Sequence, residues 1–387
     1  MKISITGMGS ISPLGANQDE IWQNYLSSNH LLQNQEIGQK KFPIGKISPD
    51  NQLLIQKIRE ENIKYNSLDA TVLYAIYASR QALSQAQWKG NTDFGINIGS
   101  SRGATTLFEE YHKYFLENGK CLPLTSPTTT LGNIASWVMQ DVQGKGVAIS
   151  HSIACSTALH GLLNGVAWLK AGMAEQFLVG GSEAPLTDFT IMQMNSLKIY
   201  GDASEKYPSQ PLFLSKKRNS MVLGEGSAVF CLEKGVPKHS LATITGLGYA
   251  TEMITHNISI SENADCFISS MKMALKDFSP NDIDVIIPHN TGTIKGDLAE
   301  YKAISLVFED KIPLLTTNKW KIGHTFGASG AISLEMAILM LKNQCFIPVP
   351  YIDYPKKTDK IRNILINSVG FGGNAVSIIV SLPENTI

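Results

Sequence analysis

Apolar positions along this chain fall into two recurring patterns. Short β-branched runs end in closely spaced glycines, and longer stretches put small and apolar residues at helical spacing. "ISITGMGSI" (Ile3 to Ile11) and "ATITGLGYA" (Ala242 to Ala250) match each other, and each reads as a strand ending in a glycine turn. "CSTALHGLLNGVAWLKAG" from Cys155 and "GASGAISLEMAILMLKNQ" from Gly327 both read as small-residue-rich helices after a strand and turn. "VLGEGSAVFCLE" (Val222 to Glu233) and "VGFGGNAVSIIV" (Val369 to Val380) each read as a glycine turn leading into a strand. The three pairs keep the same order. That predicts two homologous α/β halves, residues 1–237 and 238–387, parted where "KGVPKHS" breaks the pattern near Gly235 to Ser240. Between these landmarks, Ser67 is placed to cap a helix from Leu68 to Ala86, with Leu68, Val72, Ala75, Ile76, Ser79 and Leu83 on one face. "FGINIGSSRG" reads as a strand and glycine loop, and Asn133 to Val142 as a helix. Alternating strands and helices predict an α/β fold with a buried, mostly parallel sheet. "ENGKCLPLTSPTTT" and "YGDASEKYPSQPLFLSKKRNS" are long irregular stretches, suited to surface or site loops.

Composition narrows the function classes. A length of 387 residues exceeds the span of one hydrophobic core, which agrees with a duplicated unit. Lysine plus arginine equals aspartate plus glutamate at 33 each, so net charge gives no support for a nucleic-acid partner. No window reaches the ~18 unbroken apolar residues of a membrane span. The N-terminus lacks the features of a signal peptide, so a soluble, cytoplasmic protein is expected. Cysteines 121, 155, 231, 266 and 345 are scattered without a CxxC, which argues against a disulfide framework or a zinc site.

Candidate chemistry gathers where strands hand over to helices. In "SIACSTALHG", Cys155 precedes a helix whose unpaired N–H groups and dipole favour thiolate; a buried structural thiol would read the same way. His289 ends an apolar strand in "IIPHNTGTIKGDLAE", and Lys319 and His324 follow another in "LLTTNKWKIGHTFGASG". "NSVGFGGNAVS" is a glycine-dense turn whose backbone N–H groups can line an oxyanion site. One cysteine and two histidines at strand ends of a duplicated α/β chain point to acyl transfer through a thioester.

The sequence resembles the elongating β-ketoacyl-acyl-carrier-protein synthases. It does so through "ITGMGSISPLG", "ACSTALHG", "LVGGSEA", "LGEGSAV", "HNTGTIKGDLAE", "NKWKIGHTFGASGA" and "NSVGFGGN", in that order over nearly the whole chain. The resemblance implies the thiolase fold, two similar halves in a layered α-β-α-β-α sandwich. It implies that Cys155 accepts an acyl chain from the phosphopantetheine arm of acyl carrier protein, with no bound cofactor or metal. The N–H groups of Cys155 and Phe371 would form the oxyanion hole. His289 and His324 would assist decarboxylation of the malonyl unit and stabilise its enolate. Lys319 would sit near His324 and pair with Glu300, with Asp297, Thr291, Thr293 and Gly372 supporting the site and Val369 at the family's gate position. The implied partners are acyl carrier protein and either a second copy or a related ketosynthase or chain-length-factor subunit.

This chain departs from the family pattern at several points. Asn290 stands where the family has glycine, Ser333 where it has glutamate (with Glu335 close by), and Val369 where it has phenylalanine. "PLFLSKKRNS" replaces the usual P-F-D stretch, and the loop near "ITHNISISEN" is trimmed. These departures suggest a specialised fatty-acid, polyketide or aryl-polyene type pathway. "SKKR" (Ser215 to Arg218) is a candidate basic contact for carrier protein, although such runs are usually solvated surface. A non-catalytic chain-length-factor subunit is the alternative, but such subunits usually lack the nucleophilic cysteine. Thiolases need a second cysteine near the C-terminal glycine turn, and initiating synthases place asparagine where His324 stands.

Overall fold

The two halves of the chain build the same five strands in the same spatial order. A computed structural model describes residues 1–88, 93–131, 133–253, 261–309, 311–354 and 360–383, so most of the loop around "ITHNISISEN" (254–260) lies outside the described residues. The first half contributes β1 (Ile3–Ile11), β2 (Gly95–Gly99), β3 (Ala148–Ile149), β4 (Gln176–Glu183) and β5 (Gly226–Lys234). The second contributes β6 (Ala242–Thr251), β7 (Val285–Ile287), β8 (Leu314–Leu315), β9 (Asn363–Gly370) and β10 (Asn374–Ser381). All belong to one ten-stranded sheet in the order β3-β2-β4-β5-β1-β6-β10-β9-β7-β8. Read outward from the centre, β1 corresponds to β6, β5 to β10, β4 to β9, β2 to β7 and β3 to β8. Only three residue pairs join β1 to β6, so the two arms are free to diverge around whatever lies between them.

Helices fill the layers in the same repeated way. They are α1 (Ala70–Ala86), α2 (Asn133–Asp141), α3 (Thr157–Lys170), α4 (Asp265–Ala274), α5 (Ile294–Phe308) and α6 (Ser329–Asn343). Val72, Ile76, Ile134 and Val138 pack α1 and α2 on the outer face of the first arm, against Ile96, Ile98 and Val229. Phe267, Met271 and Ile304 pack α4 and α5 on the outer face of the second, against Ile286, Leu365 and Ile379. Between the arms, α3 and α6 bury Leu159, Leu162, Leu334 and Ile338 against Phe177, Phe230, Ile364 and Ile378. Every residue of α6 from Ser329 to Leu341 is buried, which is why its sequence shows no polar face. These are the α-β-α-β-α layers of the thiolase fold.

Three local expectations need correction. The Gly-x-Gly pairs are not turns, because β1 and β6 run straight through them. A Cβ at Gly7 or Gly9 would strike the carbonyl oxygens of Ala82 or Ala78, and one at Gly246 or Gly248 those of Ala274 or Ser270. The glycines let α1 and α4 lie directly on their strands. The sheet is mixed, not mostly parallel: β2 and β7 have parallel neighbours, whereas the strands around β1 and β6 pair antiparallel. A short turn joins β9 to β10, which forces an antiparallel pair. The cap of α1 is Asp69, whose carboxylate takes the Thr71 N–H at 2.9 Å, while Ser67 ends a preceding 3-10 turn. Among the described residues no helix is long and apolar enough to cross a membrane.

Candidate active site

Cys155 occupies a strained turn between β3 and α3. Ala154 has φ +44°, a left-handed conformation that costs a non-glycine residue about 1 kcal/mol. Side chains of the next turn hold it there. The Ile153 N–H donates to Thr157 Oγ1 at 2.9 Å, Thr157 Oγ1 donates to the Ala154 carbonyl at 2.6 Å, and Ser156 Oγ donates to the Ile153 carbonyl at 2.9 Å. The turn delivers Cys155 into an apolar wall of Phe42, Ile191, Met194, Met221 and Phe326. Helix-terminal placement predicts a thiolate here; the structure corrects this. Burial pushes the Cys155 thiol up to about 12, helped by the carboxylate of Glu183 and opposed by Lys319, by its own N–H and by Arg102. Desolvation outweighs the helix terminus, and Cys155 rests as a thiol.

The second half brings both histidines to this thiol. Cys155 Sγ and one ring nitrogen each of His289 and His324 lie within 4.8 Å of one another. The two rings meet edge to face, with centroids 5.3 Å apart. His324 is fixed through its backbone: its N–H donates to the Val222 carbonyl at 2.7 Å and its carbonyl accepts from Gly224 N–H at 3.0 Å. Neither of its ring nitrogens has a partner among the described residues. Burial, then the charge of Lys319, lowers His324 to about 3, and burial also drives His289 well below its usual range. Both rings are neutral at physiological pH.

Behind the rings lie two acids and two lysines, paired otherwise than expected. Glu300 does not form an ion pair with Lys319. It accepts the N–H groups of His289 at 2.8 Å and Asn290 at 2.9 Å, and the Asn367 side-chain amide at 3.2 Å, which locks the His289 turn. Asp297 makes the direct ion pair, with Lys216 Nζ at 2.7 Å and both side chains buried. Asp297 also takes the Gly292 N–H at 3.1 Å. Lys319, 2% exposed, falls to about 8 because it is buried, with Glu300 and Asp297 opposing the fall. Thr291 and Thr293 lie half-buried on the loop between, their hydroxyls 3.5 Å apart.

The turn around Phe371 abuts the cysteine loop. A Cβ on Gly370 would come 2.5 Å from the Ile153 carbonyl and 3.2 Å from Ala154 Cβ, and Ser368 Oγ donates to the Cys155 carbonyl at 3.1 Å. Gly372 has φ +96°, so the turn itself requires glycine. Three expectations fail nearby. Val369 forms no gate at Cys155. Strand alternation turns it to the face opposite Ser368, where it packs in the outer core with Phe267 and Met271. Glu335 does not replace the acid missing at Ser333, because its carboxylate takes the hydroxyl of Ser10 on β1 instead. "SKKR" is no simple basic surface patch: Lys216 is inside the protein, and Arg218 is engaged by Asp202 at 2.9 Å and Glu205 at 3.6 Å.

Sequence reasoning gave no role to Glu183 or Arg102, and read Lys216 only as part of the "SKKR" surface run, yet all three shape the site. Glu183, at the end of β4, accepts the backbone N–H groups of Ser101 and Gly327, and burial raises it to about 7. A lone acid ending an otherwise uncharged, buried strand is the available signal. Arg102 stacks over Phe326, 5.7 Å from the ring centroid. Lys216 reads as ordinary charge because its partner is 81 positions away.

Comparisons with known proteins bear on the family and the fold. Residues 1–236 match the family model "Beta-ketoacyl synthase, N-terminal domain" and residues 241–353 match "Beta-ketoacyl synthase, C-terminal domain". The chain is 26% identical to a 3-oxoacyl-[acyl-carrier-protein] synthase 2 of Vibrio cholerae, over 98% of both sequences. It superposes on a ketosynthase solved with its type II polyketide acyl-carrier protein at a TM-score of 0.85, with 20% identity, covering 98% of this chain and 99% of the other. A ketosynthase solved in complex with its chain length factor, from Xenorhabdus doucetiae, superposes at 0.81 with 21% identity and 98% coverage of each.

Proposed function

The chain belongs to the β-ketoacyl synthase family, and from that premise we propose that it condenses an acyl group held on Cys155 with malonyl-acyl carrier protein to give 3-ketoacyl-acyl carrier protein. The observation that carries this reading is the convergence of the Cys155 sulfur with His289 and His324 nitrogens inside 4.8 Å. In the first half-reaction the Cys155 sulfur attacks the acyl thioester as its proton passes to a neighbouring imidazole, and the carrier thiol leaves with a proton. In the second, the malonyl carboxylate leaves as CO2 and its electron pair forms an enolate on the thioester. The enolate carbon attacks the acyl carbonyl, the C–S bond breaks, and the Cys155 thiolate released takes up a proton from solvent. Neutral imidazoles suit this work because they donate hydrogen bonds to the enolate oxygen without supplying a strong acid. Burial keeps them neutral, and the positive charge of Lys319 adds to it. The N–H groups of Cys155 and Phe371 are assigned to the oxyanion of the acyl carbonyl, and the apolar wall of Phe42, Ile191 and Met194 to the acyl chain.

In this reading residues 1–237 supply the nucleophile and residues 238–387 the rings. Substrates arrive on the phosphopantetheine arm of acyl carrier protein and no resident cofactor is needed. The chain pairs with a second copy or with a related ketosynthase or chain-length-factor subunit. Asn290, whose buried Oδ1 has no partner among the described residues, adds bulk beside His289 and supports a specialised fatty-acid, polyketide or aryl-polyene type pathway. The test is intact-protein mass spectrometry with acyl and malonyl carrier protein. Cys155 gains the acyl mass and 3-ketoacyl product appears, and Cys155→Ala abolishes both. An unlabelled Cys155 with product formed on a partner subunit would replace this reading with the chain-length-factor one.

A further inference from the structure

We infer that Cys155, His289 and His324 also form a site for a thiophilic divalent cation such as Zn2+, and that its occupation closes the site by taking the thiol. A tetrahedral zinc holds sulfur at about 2.3 Å and imidazole nitrogen at about 2.0–2.1 Å, which sets neighbouring donors about 3.4–3.6 Å apart. The three donors already lie within 4.8 Å of one another, so small side-chain rotations bring them to metal-binding spacing. The second observation is independent of that spacing. His324 is only 2% exposed, yet neither ring nitrogen has a hydrogen-bond partner among the described residues. A buried imidazole with both nitrogens unsatisfied is costly, and a metal ion supplies a partner for the nitrogen that faces the thiol. His289 presents its ring edge-on to His324 at 87°, so the two rings do not stack flat against each other across the thiol.

The donor set suits this metal class. One sulfur and two imidazoles favour zinc, copper or cobalt over magnesium or calcium, which take oxygen ligands. Three protein ligands leave a fourth position for water or a substrate atom. The exchange balances without a redox step: the thiol loses its proton to solvent, a sulfur–metal bond forms, and the site gains one positive charge. Lys319 opposes that charge, and the buried carboxyls of Glu183 and Glu300 offset it. The ligands come from segments far apart in the chain, so no spacing motif reveals the site. The inference rests on the donor spacing and the unpartnered His324 ring, and stands or falls whether or not the chain condenses acyl units.

Cobalt(II) is the probe, added to the full chain carrying Cys121→Ser and Cys345→Ser to remove the exposed and half-buried thiols. One equivalent per chain should bind and give the near-ultraviolet sulfur-to-cobalt band and the visible bands of a tetrahedral thiolate complex, and zinc should bleach both. Cys155→Ala should lose the sulfur band. Alkylating Cys155 in the otherwise unaltered fold should do the same, which separates ligation from any folding defect. The His289→Ala/His324→Ala double variant should bind more weakly and lose the tetrahedral bands. No sulfur band at saturating cobalt, a band that survives in Cys155→Ala, or undiminished binding by the double histidine variant would each overturn the site.

Discussion

Two turns lead into the central helices, and they are built alike. Ala154-Cys155-Ser156 precedes α3, and Phe326-Gly327-Ala328 precedes α6. The first residue of each is left-handed, φ +44° at Ala154 and +42° at Phe326. The strand end behind each turn also corresponds. Ser368 on β9 donates to the Cys155 carbonyl, while a Cβ on Gly181 of β4 would come 2.8 Å from the Gly327 carbonyl. Two residues further along, Gly370 lies against the Cys155 turn and Glu183 against the Gly327 turn. The scaffold is repeated, but the side chains are exchanged: cysteine faces glycine on one side, and glycine faces glutamate on the other. The glycine lets the end of β9 lie directly on the cysteine turn, and the glutamate takes the corresponding place against the second turn. In the proposed reaction one turn carries the chemistry and the other supports it.

The largest effect should come from breaking the buried ion pair behind the His289 loop. Lys216→Met leaves the Asp297 carboxyl buried without its cation, which costs about 3–5 kcal/mol in urea unfolding. Adding Asp297→Asn should recover much of the loss. If Lys216→Met unfolds at the parent midpoint, the pair does not hold the His289 loop. Next comes Glu183, the support on the other side. Its folded-state value of about 7 lies above the ordinary 4.5 because the carboxyl is buried. An acid raised in this way contributes most below its unfolded value and loses that contribution as pH climbs to the folded one. Stability should therefore fall between about pH 4.5 and 7, by about 3 kcal/mol from this group. Glu183→Gln keeps an acceptor for Ser101 and Gly327 but cannot ionise. It should match the parent or fall below it at pH 5 and exceed it at pH 8. Parallel curves for the two proteins would mean that Glu183 does not titrate in this window.

Much of this comparison was legible in the chain. The matched runs at Ile3 and Ala242 and at Cys155 and Gly327 locate both turns, and the resemblance carried by "ACSTALHG" and "KIGHTFGASG" points to the residues that meet. What stayed hidden depends on contacts between distant segments. Gly7 and Gly9 look like turn residues because the helix that needs their bareness is some seventy positions away. Glu183 looks like an oddity at a strand end because its partner Gly327 is 144 residues later. Lys216 looks like surface charge for the same reason. The expected thiolate failed on a different count, since local placement shows the helix terminus but not the burial that overrides it.

The glycines test the exchange directly. Alanine at Gly327 would put a methyl 2.7 Å from Glu183 Oε1, and alanine at Gly370 would put one 2.5 Å from the Ile153 carbonyl. Each should cost about 1–3 kcal/mol in unfolding. Gly370→Ala should also slow alkylation of Cys155, and more than Gly327→Ala does, because its methyl meets the backbone of the cysteine turn whereas the Gly327 methyl reaches that turn only through Thr157 Cβ, 3.2 Å away. Equal slowing in both variants would mean that the two turns move as one body. The smallest effect should come from Ser368→Ala, which removes one neutral hydrogen bond to the Cys155 carbonyl and should cost about 1 kcal/mol. Its counterpart Gly181 makes no side-chain bond to the Gly327 turn, so the second copy holds its shape without one. If the cysteine turn needs Ser368 only for stability, the alanine variant will unfold earlier but acylate at the parent rate. If the bond also fixes the carbonyl that orients the Cys155 N–H toward the oxyanion, acylation will slow more than the lost stability accounts for.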